Sequence, residues 1–141
     1  MNKQKKYTYI HTHGHGYLSV SIKEIKRLNL TDKVSTCSKI DLSRVYLEED
    51  CDMALFLDAK KSLGEDYEIK NSYRDIPRFL CGGEYKPHYI KYPIQIGSIV
   101  TNNDYQYSVI DINKEIVIKN EICRFYVSKS NPYKYLEPKI N

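Results

Sequence analysis

The stretch Pro77 to Pro93, "PRFLCGGEYKPHYIKYP", constrains the fold of this chain more than any other. It holds three prolines and a Gly-Gly pair, and proline removes a backbone donor and breaks both helix interiors and central strands. A long element cannot run through it. The expected organisation is therefore an α+β domain over residues 1–76, a Pro/Gly/Tyr-rich connector in extended conformation over 77–93, and a small all-β unit over 94–141. At 141 residues the chain can bury a real core without disulfides or metal.

In the first part, "KYTYIH" alternates and is rich in β-formers, so it reads as a strand, after which Gly14 and Gly16 bend the chain. "SIKEIKRLNL" opens with a capping box, Ser21 and Glu24, and sets Ile22, Ile25 and Leu28 along one stripe of a short helix. A strand "RVYLEE" leads into "DCDMALFLDAKKSLG", where Asp50 or Asp52 caps a second helix that buries Leu55, Phe56 and Leu63 and stops at Gly64. "YEIKNSYR" reads as a third strand. From Ile94 onward "IQIGSIV", "YQYSVIDI", "EIVIK" and "ICRFYVSK" are short alternating runs separated by "TNND", "NK" and "NE", which are turn chemistry. Strands of this kind can close into a small SH3-like barrel. The expected fold class is α+β: a small sheet with two short helices, followed by an antiparallel β unit.

A formal charge of +4 falls short of the balance of a dedicated nucleic-acid binder, but the charge is polarised. Residues 41–58 carry six acids against Arg44, while residues 70–91 carry Lys70, Arg74, Arg78, Lys86 and Lys91 against Asp75 and Glu84. Such poles suit a partner protein or an anion. Cys37, Cys51, Cys81 and Cys123 form no C-x-x-C pair, and no apolar run of signal or membrane length is present. Four reduced thiols, a cytoplasmic location and no membrane association are the expectations.

Chemistry is concentrated in three stretches. "HTHGHG" places His11, His13 and His15 at alternate positions, and residues two apart on a strand share a face, so a pair could hold Zn²⁺ or Mn²⁺ with a further donor from His88, Cys81 or the acids Glu48 to Asp52. The same histidines could instead hydrogen-bond a glycine-rich turn. Alternatively, Gly14 and Gly16 could let backbone amides approach a phosphate ahead of the first helix. The acidic run Glu48, Glu49, Asp50 and Asp52 suits a Mg²⁺ or acid/base site, but also plain helix capping, with Glu49 or Asp50 orienting a histidine. Acids around Cys51 argue against a nucleophilic thiol. The basic stretch interleaves Arg74, Arg78, Lys86, His88 and Lys91 with Tyr73, Phe79, Tyr85, Tyr89 and Tyr92, a mixture suited to single-stranded nucleic acid, a nucleotide or a protein interface.

"HTHGHGYLSV", "YLEEDCDMALFL" and "SYRDIPRF" together resemble a family of small proteins encoded by phages, plasmids and other bacterial mobile elements. The resemblance covers residues 7–80, and proline is the usual occupant where this chain has His13. It implies a bacterial cytoplasm and a mobile-element origin, and it brings no established activity. The expectation is a non-enzymatic binding protein acting on a host protein, nucleotide or nucleic acid in counter-defence or regulation, without a cofactor. Its ligand-binding residues would be His11, His15, Arg74, Arg78, Tyr85 and Lys86, with the first four converging on one concave site. The alternative is a small metal-dependent hydrolase or nuclease using His11, His13, His15 and the acidic run. The sequence carries no signal for oligomeric state.

Overall fold

A computed structural model of the chain describes residues 4–73 and 83–139. Strand β1 (Lys5–Thr12) turns back into β2 (His15–Ser21) through a two-residue loop, His13 and Gly14. Gly14 has φ +88°, a conformation that glycine adopts without strain. Helix α1 (Ile22–Arg27) follows directly, with Ser21 Oγ accepting from the Glu24 amide at 3.2 Å. The chain then passes through β3 (Lys39–Ile40), β4 (Arg44–Glu48) and helix α2 (Met53–Ser62) to β5 (Tyr67–Tyr73). Together with β6 (Gly83–Glu84) these strands form one sheet in the order β5-β1-β2-β4-β3-β6, in which β5 runs parallel to β1.

The structure adds β2 to the expected elements. It is a central strand, and its residues Gly16 to Val20 are all buried, so it lacks the alternation that marks a half-exposed strand. In α2, Phe56 is buried and meets Tyr7 edge-on at 5.1 Å, as expected of a core residue. Leu63 is a correction: it is 60% exposed, because it lies beyond the last helical turn, and Lys60 is the residue that turns inward, 1% exposed. Asp52 begins α2 but its carboxylate bonds outward, accepting from the Ser35 amide at 3.1 Å, Ser35 Oγ at 2.8 Å and Ser38 Oγ at 2.5 Å.

Residues 83–93 differ from the expected extended spacer. Gly83 and Glu84 pair with Ile40 and Lys39, and Pro87–Lys91 form a short helix, α3, in which proline occupies the tolerated first turn. Tyr85, Tyr89 and Ile90 enter the core. Burial of these rings, which local sequence does not reveal, is the reason the segment is structured.

The C-terminal part is a second sheet of β7 (Ile99–Asn102), β8 (Tyr105–Asp111), β9 (Ile116–Lys119), β10 (Arg124–Val127) and β11 (Glu137–Pro138), ordered β10-β9-β8-β7-β11. Asn103 and Asp104 at the β7–β8 turn both have positive φ, as a tight hairpin requires. Ile94 to Ser98 form a turn around Gly97 instead of a strand. The SH3-like barrel is also corrected: β10 and β11 are the two edges of an open sheet and do not pair. The molecule is α+β, with two sheets and few helices. No helix among the described residues is long and apolar enough to cross a membrane.

Candidate functional site

The hairpin register answers what the "HTHGHG" pattern is for. Thr12 faces His15 and His11 faces Gly16 on adjacent rungs, so His11 and His15 leave the sheet on opposite faces. His11 stacks on Tyr73 at 4.3 Å, meets Tyr9 edge-on at 4.5 Å, and shares a 3.0 Å hydrogen bond between Nε2 and Asn71 Oδ1. His15 Nδ1 lies 3.6 Å from Glu48 Oε1. His13 is exposed at the loop tip. The expected convergence of His11 and His15 on one site is therefore absent, and Arg74 and Arg78 lie outside the described residues, as does Cys81.

Both glycines have structural reasons. A Cβ on Gly16 would sit 1.8 Å from the Tyr9 hydroxyl, whose ring crosses the strand there to donate to Glu49 Oε2. Burial and the Glu49 bond push the Tyr9 phenol up to about 12. The amides of this turn do not form a phosphate cradle ahead of a helix, since strand β2 intervenes before α1.

Within the acidic run the carboxylate that approaches a histidine is Glu48, beside His15; Glu49 and Asp50, the expected orienting residues, form no such pair. Glu49 serves Tyr9, and the Asp50 amide donates to Glu48 Oε2 at 2.9 Å. Glu48, Glu49 and Asp50 still present oxygens within 4.8 Å of one another, and among the described residues no histidine joins a group of three ligand atoms this close. Among the described residues the His11, His13 and His15 set thus brings no three ligand atoms together, with His11 and His15 on opposite faces.

Tyr85 is likewise corrected as a ligand contact. It is 0% exposed, its hydroxyl donates to the Thr31 carbonyl, and burial pushes its phenol up. Lys86 is half-buried with Nζ 5.8 Å over the Tyr89 ring. His88 and Tyr89 both bond Glu137, at 2.8 Å each, which ties α3 to β11.

A concave surface with an aromatic lining lies elsewhere, on the second sheet. Tyr105, Phe125, Tyr126 and Tyr135, all about half or more exposed, wall a cleft of ≈ 460 Å³. Its floor includes the buried Tyr107 and Val127, and Tyr107 meets Phe125 edge-on at 5.7 Å. Asn102, Asn103 and Ser128 supply polar groups at its border, and Asn102 Nδ2 donates to the Tyr135 carbonyl at 3.0 Å. None of the nine lining residues is charged. Lys134 places Nζ 5.5 Å over the Tyr135 ring. Sequence reading missed this site because its rings come from β8, β10 and the segment before β11, which the sheet order brings together. The available signal was the run of aromatics at "YQY", "RFY" and "YKY". No family model, no curated protein and no solved structure matches the chain.

Proposed function

We propose that this chain is a non-enzymatic binding protein that takes an extended segment of a partner protein in the aromatic cleft of its second sheet. The cleft's uncharged aromatic lining carries the reading. Single-stranded nucleic acid is held by stacking together with a cationic track that follows the phosphates; none of the described residues lining this cleft is a cation, and Lys134 over the Tyr135 ring does not by itself make such a track. A peptide needs what is there: exposed tyrosine and phenylalanine rings for apolar side chains, and amides and hydroxyls for backbone groups. In the mobile-element setting that residues 7–80 suggest, the partner is a host protein and the role counter-defence or regulation.

The hydrolase alternative draws its support from Glu48, Glu49 and Asp50. Against it, two of those carboxylates are already engaged, Glu48 by the Asp50 amide and Glu49 by Tyr9.

A displayed random-peptide library, panned on the full chain, tests the proposal, with a thymidine oligonucleotide as the nucleic-acid probe. Enriched peptides should lose roughly 30-fold in affinity against Phe125→Ala, the change expected of an aromatic anchor worth about 2 kcal/mol. Oligonucleotide binding that the same substitution abolishes, or no enrichment at all, overturns the reading.

A further inference from the structure

Two cysteines that the sequence separates are brought together at the start of α2. The Asp52 carboxylate collects the Ser35 amide and hydroxyl and the Ser38 hydroxyl, which clamps the 35–38 loop against the helix start. Cys37 sits inside that clamped loop, its amide donating to Ser35 Oγ at 3.2 Å, and Cys51 immediately precedes Asp52. Both side chains are exposed and free. The Cys37 thiol, and after it the Glu48 carboxylate, are the side chains that act most strongly on the Cys51 thiol.

We propose that Cys37 and Cys51 are a modification site for hydroperoxides, closing to an intramolecular disulfide through a sulfenic acid on Cys37. In the first step the Cys37 sulfur attacks one peroxide oxygen and the O–O bond breaks. Cys37 becomes S–OH, and the other oxygen leaves as water or an alcohol. In the second step the Cys51 sulfur attacks the Cys37 sulfur, the S–O bond breaks, and hydroxide leaves. Glu48 accepts the Cys51 proton and passes it to that hydroxide, giving a second water. Two thiols lose two electrons and two protons in all, and the peroxide takes up both.

Cys51 has the resolving role because of its surroundings. Cys37 first, and then Glu48, raise its thiol to about 12, so at neutral pH it keeps its proton and reacts only once an electrophilic sulfur is beside it. The Asp52 clamp supplies the proximity that makes this second step intramolecular.

The experiment exposes the full-length reduced protein to hydrogen peroxide, blocks remaining thiols in denaturant, and maps the digest by mass spectrometry. Free thiols should fall from four to two, with one crosslinked species joining Cys37 to Cys51 within a monomer. In Cys51→Ser, dimedone should trap a sulfenic acid at Cys37, whereas Cys37→Ser should yield none at Cys51. A crosslink to Cys81 or Cys123, an intermolecular bond, or four surviving thiols would each overturn the proposal.

Discussion

Gly16 shows how one residue can be read two ways until its neighbours are known. In the sequence it suggests a loop; in the fold it is a buried strand position left bare so that the Tyr9 ring can cross it. Gly16→Ala should cost about 1–3 kcal/mol in thermal or denaturant unfolding, since the methyl must displace Tyr9 and break its bond to Glu49. Gly14→Ala has open space around it and should cost only the strain of its positive φ, about 1–2 kcal/mol. The capping box was half legible at this scale. Ser21 caps as expected, but the Glu24 side chain bonds Arg27, its neighbour one helical turn on, together with Lys5 and Tyr7 of β1, which its local sequence pattern does not indicate.

Among elements, β1, α1 and α2 are joined by a charged cluster at one end of the first sheet, with Glu65 supplied by the segment between α2 and β5. Arg27 bonds Glu24 and Glu65 at 2.7 Å each, and the buried Lys60 reaches Glu65 at 3.0 Å. Arg27 first, with Lys5 and Tyr7, holds Glu24 well below the usual carboxylate range, and Arg27 and Lys60 hold Glu65 at about 2. Both folded values are depressed, so their stabilisation is complete above an unfolded value of 4.5 and is lost as pH falls toward 2. Melting temperature should therefore decline steeply between pH 4.5 and 2 in the native chain, and less so in Glu24→Gln. Helices α1 and α2 and the exposed strands were legible because their patterns are local, whereas α3 lies in the stretch expected to be extended. Strands β3, β6 and β11 were not, being two residues each and set by their pairing partners.

Across the whole molecule, buried side chains from both sheets belong to one continuous core, and α3 lies at the join. Tyr89 stacks on Tyr133 at 3.9 Å and donates to Glu137, beside the His88 contact. A single unfolding transition is expected by calorimetry, with calorimetric and van't Hoff enthalpies in agreement. Glu137→Ala removes the acceptor of the nearly buried Tyr89 hydroxyl and should cost about 1–3 kcal/mol while leaving one transition. Two resolved transitions would show that the sheets are held together less firmly than this join implies. The aromatic cleft belongs to the same scale: its rings are visible one by one in the sequence, and their meeting depends on the order of the second sheet.

The parallel pairing of β5 with β1 sets the order in which the first sheet can assemble. Lys5 and Tyr67 are partners more than sixty positions apart, whereas β1 and β2 are joined by a two-residue turn. The hairpin forms on a local contact, but β5 must wait for the intervening chain to fold back, with α2 docked, before closure of so long a loop is rewarded. During synthesis or refolding, β1 therefore spends an interval as an open edge, with its backbone groups available to any passing strand.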